Sequence, residues 1–412
     1  MKLDFDIIIA GGGIAGLTLA AALRDSGLTV ALIDPGLDHP HQPDHIGNPA
    51  LENPRVSAIY SGQMRLLQQL GICPEQLMNN LDSGQFGRGA AFKRMHIWDH
   101  SNRQSVSFDG NDVGIESLGW IIENRKLISA QYKLLSNSST SLISDTITAI
   151  DYPEPQAIRA QLQSGSTLSC RLLIAADGSS SRLRRLAEID IERLNYGQWA
   201  VTALVKPAQH HQFTAWQKFL ADGPVALLPL ADGYCSMVWS TNPGQAQQLV
   251  DLSESSFQQQ LAETLDGRLG AIEQSSARAR FPLFRQQALR YYSNRMALIG
   301  DAAHHIHPLA GMGANLGIVD ALQLAEKIKQ NADDPGRVKM LRSYDRQRRT
   351  EVDRYVSAQD SLRWCYGWSL PTAQKLRGLG VGLLDKSMIL KPELLLQTLG
   401  LNQPFYPETI ND

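Results

Sequence analysis

Near the amino terminus an apolar run, Ile7-Ile8-Ile9, feeds directly into Gly11-Gly12-Gly13-Ile14-Ala15-Gly16. Residues 6–10 read as a short, fully buried parallel strand. A helical stretch over 17–26 follows, with a stop at Gly27, and a second strand over 30–33 ends at Asp34. The pattern is strand, glycine turn, helix, strand, with an acid at the tip of the second strand. The three glycines serve different physical ends. Gly11 makes the tight turn, Gly13 lets a pyrophosphate approach the backbone, and Gly16 lets helix and strand pack closely. Ile14, Ala15 and Gly16 would turn free N–H groups toward the phosphates at the helix N-terminus, where the dipole favours an anion. Asp34 would accept from ribose hydroxyls. Dinucleotide binding is the strong reading, but the turn alone does not distinguish NAD from FAD.

A chain of 412 residues suggests two or three domains, and 43% hydrophobic against 19% charged residues is an ordinary globular composition. Thirty-nine basic against 41 acidic side chains, with no basic block, argue against nucleic-acid binding through phosphate neutralisation. Cys73, Cys170, Cys235 and Cys365 have no CxxC spacing, so neither a disulfide framework nor a cysteine zinc site follows, and a reducing, cytoplasmic compartment is expected. No stretch approaches the ~20 apolar residues needed to span a bilayer. The first apolar run is too short for a signal segment.

Two further apolar strands end in glycine-acid pairs. Residues 172–176 close on Asp177-Gly178, followed by Ser179-Ser180-Ser181-Arg182-Leu183-Arg184. This could open a helix whose cations meet phosphates, or could be a surface turn with solvated arginines. Residues 296–299 run into Gly300-Asp301, then His304-His305-Ile306-His307-Pro308 and Gly311-Met312-Gly313-Ala314-Asn315, with a helical pattern after it. Gly311 and Gly313 permit close backbone approach, and the helix start offers donors to a second polar group of the same large cofactor.

These three segments in this order resemble the FAD-dependent aromatic hydroxylases, the single-component group A flavoprotein monooxygenases. Within them the chain is most similar to the ubiquinone-biosynthesis hydroxylases of the UbiH, UbiF and VisC type. That similarity is carried by Arg55-Val56-Ser57-Ala58-Ile59, Glu123-Asn124, Phe281-Pro282-Leu283 and the run from Gly300 to Gly317. The resemblance implies FAD as cofactor, with Gly11, Gly13 and Gly16 at the ADP half, and Asp177 and Gly178 near the pyrophosphate. Gly300 and Asp301 would lie at the ribityl chain, and Pro308, Gly311, Gly313, Ala314 and Asn315 against the flavin ring. Arg55 would be a cation near the flavin or pyrophosphate, or else a surface ion pair. Asn124 would touch the flavin from a helix start, or else be an ordinary helix cap. Met312, Ala314 and His305 stand where the family usually has Gln, a larger apolar residue and Thr, and Asp34 stands where Glu is more frequent.

The activity implied is hydroxylation of the aromatic ring of a polyprenylated quinone precursor. NAD(P)H or another donor would reduce FAD, and O₂ would form a C4a-hydroperoxide whose distal oxygen attacks the phenol or quinol ring. No second nucleotide turn is visible: Gly378, Gly380 and Gly382 follow a helical pattern without a strand before them. An oxygen-independent prenyl-lipid reductase and a non-catalytic FAD-binding scaffold of a quinone-synthesis complex remain as alternatives. His304 and His307 are expected to shape the loop by hydrogen bonding, with His305 facing solvent. His307 with Pro308 are the catalytic candidates, His307 as general base. A metal is not expected, because the histidine run lacks HExxH spacing and a carboxylate partner pattern.

The expected fold class is α/β. A Rossmann-type FAD-binding domain is assembled from 1–75, 105–185 and 290–330, a β-rich substrate domain from 76–104 and 186–289, and a C-terminal helical segment from 331–412. Strands are expected over 199–205, 225–230 and 235–240, the last two joined by a hairpin at Asp232-Gly233, and an amphipathic helix over 253–265. Aromatic residues between Trp199 and Trp239 could line a substrate pocket or be plain core. The mildly basic, amphipathic stretch 373–401 would pack on the flavin domain, or touch the inner-membrane surface or a partner of a quinone-biosynthesis complex. Self-association into a homo-oligomer is a further expectation.

Overall fold

Ile7, Ile8 and Ile9 have no solvent exposure, and the reason is the sheet they belong to. The computed structural model describes residues 3–37, 55–78, 89–100, 105–307, 311–367, 382–387 and 389–401. The elements that build the site are, in chain order, β1 (Phe5–Ala10), α1 (Ile14–Leu23), β2 (Val30–Ile33), β3 (Val56–Tyr60), β4 (Ala90–Phe92), β5 (Gly119–Glu123), α2 (Asn124–Ser136), β6 (Thr167–Ala175), β7 (Ile191–Pro207), β8 (Ala279–Ala288), β9 (Met296–Leu298), α3 (Met312–Gln330) and α4 (Val338–Gly367).

β1 is flanked on both sides by parallel partners: Ile8 pairs with Leu173 of β6 and with Ala31 of β2. β6 in turn pairs in parallel with β9, Ile174 opposite Ala297. All three expected strands thus meet side by side in one eight-stranded sheet. Helices α1 and α3 pack together in the core of this sheet, Leu17, Leu19 and Leu316 beside Ile7, Ile8 and Ile9, and strands buried so completely call for continuous apolar runs rather than alternation. Residues far apart in sequence therefore deliver three chain turns to the same edge.

A nine-stranded sheet forms the second layer. Its spine is β7, 17 residues long, which pairs with β8 and with Cys235–Thr241. The Gly223–Pro229 and Cys235–Thr241 strands are antiparallel about Asp232-Gly233, as the hairpin signal requires. Pro243–Asp251 and Glu254–Thr264 cover its far face, packing Leu249, Phe257 and Leu261 against Met237 and Trp239. Ser253 caps the second helix by accepting from the Ser256 N–H. The Arg94–Asp99 strand joins this sheet, and so does Ser105–Asp109, a strand expected on the cofactor side. A third, three-stranded sheet runs β3-β5-β4.

The two large sheets are joined where β8 meets the His304–His305 bridge, Gln287 opposite His304 and Gln286 opposite His305. Pro308, the Pro-rich stretch 39–54, Pro371 and the glycines at 378 and 380 lie outside the described residues. Among the described residues no helix is long and apolar enough to cross a membrane.

Candidate functional site: a dinucleotide cradle

The first turn shows which glycines pack and which leave room. A Cβ on Gly11 would stand 2.2 Å from the Ala176 carbonyl oxygen, and Gly11 has φ +117°. A Cβ on Gly16 would stand 2.0 Å from the Gly11 carbonyl oxygen. Those two positions are closed by the fold itself. Around Gly13, which precedes α1, nothing lies within 4 Å of a Cβ. No side chain caps the helix there, so the first-turn N–H groups of Ile14, Ala15 and Gly16 face that open space. Asp34 accepts from the Gly12 N–H at 2.7 Å and from the Gly36 N–H at 2.7 Å. The carboxylate is thereby fixed beside the turn, with lone pairs left over for hydroxyls.

Asp177 and Gly178 face this turn, since the Ala176 N–H donates to the Ala10 carbonyl at 2.7 Å. One Asp177 carboxylate oxygen accepts from the Arg182 and Leu183 N–H groups at 2.8 and 3.1 Å. The other is buried and has no hydrogen-bond partner among the described residues. Gly178, at φ +82°, also leaves its Cβ position open. Of the two readings of this segment, cations meeting phosphates or arginines solvated on a surface turn, Arg184 follows neither. Arg184 is 4% exposed and donates to the Ala302 carbonyl at 2.8 Å and the Ser179 carbonyl at 2.9 Å. Its guanidinium is spent on bracing one chain turn against the other, which a buried fork of donors does well.

The third turn sits against the first. A Cβ on Gly300 would lie 3.0 Å from the Ala15 Cβ, and one on Gly317 would lie 3.3 Å from the same atom. Small residues thus let α1, α3 and the Gly300-Asp301 turn converge. His305 Nδ1 lies 3.0 Å from the Asp301 carboxylate. Burial works to raise the Asp301 carboxyl, but the bond and charge of His305, with the charges of His304 and Arg55, hold it below its usual range. The charge of Arg55 contributes to this shift although some 246 residues separate it from Asp301.

Asn124 is not the helix cap; Glu123 occupies that position. The Asn124 side-chain oxygen accepts from Ser57 Oγ at 2.7 Å, and its N–H donates to the Arg55 carbonyl at 2.9 Å. This ties Arg55 to the start of α2. At the α3 end, Gly311 adopts φ +60° and Gly313 leaves its Cβ position open. Asn315 is fully buried and committed: it donates to the Ala58 carbonyl at 2.7 Å and the Gly311 carbonyl at 3.0 Å, and accepts from the Tyr60 N–H at 3.0 Å. Its amide thus faces backbone, and it fixes the placement of Ala58 and Gly311. Met312, 2% exposed, packs in the main core and Ala314 against the Ile59–Ile318 cluster.

The histidines diverge. His304 Nε2 lies 2.6 Å from buried Asp320, His305 turns to Asp301, and His307 meets the Tyr196 ring edge-on at 5.0 Å. Asp320 and Arg348 escape a reading of the sequence alone. The available signal is an acid within the apolar helical run 316–325, where a lone charge needs a buried partner.

Open Cβ positions at Gly13, Gly178 and Gly313, an uncapped helix start and an orphaned Asp177 oxygen are what a long dinucleotide fits. Residues 148–359 match the family described as FAD binding domain, which makes the protein an FAD-binding flavoprotein. The ubiquinone biosynthesis monooxygenase COQ6, mitochondrial, of Xenopus tropicalis is 31% identical, across 95% of this chain and 92% of that one. The 3-demethoxyubiquinol 3-hydroxylase of Escherichia coli (strain K12) is 30% identical, across 96% of this chain and 98% of that one. The chain belongs to this family of FAD-dependent ubiquinone-biosynthesis monooxygenases. Its fold is also that of p-nitrophenol 4-monooxygenase PnpA from Pseudomonas putida DLL-E4, at TM-score 0.76 and 17% identity, covering 97% of this chain and 99% of that one. Klebsiella pneumoniae HpxO complexed with FAD and uric acid gives TM-score 0.70 at 18% identity, covering 97% of each chain.

Proposed function

We propose that the protein hydroxylates the aromatic ring of a polyprenylated ubiquinone precursor with O₂, taking electrons from NAD(P)H. The observation that carries this reading is similarity along nearly the whole chain to two ubiquinone-pathway hydroxylases, combined with a cradle built from three separate chain turns. When bound, FAD supplies the activation of oxygen. The chain does the rest. Gly13, Ile14, Ala15 and Gly16 bind the pyrophosphate, Asp34 the ribose, and Asp177, Gly178, Gly300 and Asp301 the middle of the cofactor, with Arg55 adding positive charge. Gly311, Gly313 and Ala314 present backbone to the ring at the start of α3. The nine-stranded sheet covers the site and excludes water.

His307 is 3% exposed and packed on Tyr196, which supports its shaping the loop rather than exchanging protons with substrate. The burial of Met312 inside the core supports catalysis over a scaffold role, because that departure from the family's usual residue is absorbed by packing. Exposed Leu383 (71%), Ile389 (76%) and Leu390 (61%), with Lys386 beside them, support contact with a membrane surface, where a prenylated substrate resides.

The test is a mass profile of quinone precursors in cells lacking the protein and in cells where it is restored. A prenylated ring short of one hydroxyl should accumulate and disappear on rescue, and the missing oxygen should come from O₂. An unchanged quinone profile overturns the proposal.

A further inference from the structure

A cleft of about 600 Å³ opens at the corner where the end of β7 and the Asp232-Gly233 hairpin approach β4. Its apolar walls include Met78, Ala90, Ala91, Pro207, Phe213 and Leu230. The volume lies within the ~300–1,000 Å³ of small-molecule sites. Among the described residues its charged lining is one cation, Lys206, with the exposed acids Asp232 and Glu273. That balance suits a neutral occupant better than an anionic one such as a prenyl diphosphate.

Two features mark the cleft, and the first connects it with the cradle. In the three-stranded sheet Ala58, Ile121 and Ala90 stand directly opposite one another, so their side chains share one face. Ala58 abuts Gly311, where an added Cβ would lie 3.1 Å from the Ala58 Cβ, and Ala90 lines the cleft. The cleft therefore begins two strand spacings, about 10 Å, from the loop at the start of α3. A ring bearing a prenyl tail is longer than that. The second feature is strain. Gln212 and Phe213 both have φ of 54°, a conformation side chains rarely adopt, and Phe213 is held at the cleft 44% exposed. His211 enforces it: Nδ1 accepts from the Phe213 N–H at 3.1 Å and Nε2 donates to the Leu230 carbonyl at 2.8 Å.

We propose that this cleft binds the proximal part of the substrate's prenyl tail, Phe213 packing on the chain and the aromatic ring extending along Ala58 toward the cofactor loop. The assignment rests on the polyprenylated substrate proposed above. The test uses the FAD-loaded protein, a geranylgeranyl phenol carrying a diazirine on its tail, and the corresponding tailless phenol. Irradiation should attach the tail to residues 206–213 or 230–233; attachment only elsewhere overturns the proposal. Ala231→Trp, which fills the cleft, and Phe213→Asp, which charges its edge, should each raise KM for the tailed phenol at least tenfold relative to their effect on the tailless one. Equal effects on both phenols overturn it. If the cleft labels and both variants abolish the labelling while neither phenol is hydroxylated, the tail site stands and the hydroxylase reading fails.

Discussion

Arg348 donates from Nε to Asp320 at 2.6 Å with both side chains wholly inside the protein, joining α4 to α3. The second Asp320 oxygen accepts from the Gly300 N–H at 2.8 Å and faces His304 at 2.6 Å. Glu351 completes the pairing on the far side of Arg348. One buried carboxylate thus fixes the turn that carries Asp301 to a helix beyond residue 337. Burial alone would raise the Asp320 carboxyl, but His304 and Arg348 bring it down to about 2 from 3.8. Its stabilisation is therefore complete above pH 3.8 and lost as pH falls toward 2. Removing one partner leaves the other charged in a dry interior. Asp320→Ala should cost about 3–5 kcal/mol in urea unfolding and release FAD, whereas Asp320→Ala with Arg348→Met should recover part of that loss. A double variant no more stable than the single one would show that the charges are not the coupling.

The glycines of the first turn should separate into two kinds. Gly11→Ala pushes a methyl into the Ala176 carbonyl at a backbone angle alanine avoids. It should lower the apo-protein's melting temperature by several degrees. Gly13→Val meets open space at an ordinary φ of −78°, so the apo-protein should melt within a degree or two of the parent. The same variant should lose FAD binding at least tenfold, read by quenching of flavin fluorescence. Unimpaired binding in Gly13→Val would remove the pyrophosphate from this turn.

Much of this is legible in the amino-acid sequence. Three unbroken apolar strands, each closing on glycine with an acid nearby, read as buried parallel strands, and the sheet pairs them side by side. The Asp232-Gly233 hairpin follows from local turn chemistry, and the helix over 253–265 from its amphipathic pattern. What stays hidden depends on distant partners. The first residues of β7, 191–195, are exposed and show no strand alternation, Ile191 and Leu194 flanking polar neighbours; they are held by pairing with β8 across some ninety residues of sequence. Arg184 reads either as a phosphate ligand or as a solvated surface cation because its charge is local information, whereas the carbonyl of Ala302 that it serves is not.

The burial of Asn315 leads to a different forecast. Its three hydrogen bonds satisfy the buried Ala58 carbonyl and Tyr60 N–H of β3, which have no water to turn to, and the half-buried Gly311 carbonyl at the α3 start. Asn315→Leu keeps the volume and strands those groups, at about 1–3 kcal/mol for each left unsatisfied. The chain should still fold, with a lowered urea midpoint, and flavin fluorescence should report a loosened ring environment. A variant with parental stability would mean the amide is not the clamp.

Acid should weaken the Phe213 turn before it touches the main core. Burial, with a smaller push from His210, holds the His211 imidazole below its ordinary 6.5, while the bond to the Leu230 carbonyl opposes them. The ring must be neutral, because Nδ1 accepts the Phe213 N–H and a protonated ring has no acceptor. Once pH drops below 6.5 the unfolded chain binds more protons than the folded one at this site, so stability falls and then levels off below the folded value. His96 is shifted in the same direction by burial and by Arg268, against an opposing pull from Asp385, so the parent alone cannot apportion the effect. The comparison that can is parent against His211→Leu, melted from pH 7.5 down to pH 5. The variant should start lower, having stranded the Leu230 carbonyl, and should then lose less on acidification than the parent. Parallel curves would place the acid sensitivity at His96 or elsewhere, and would leave the two strained residues held by something other than His211.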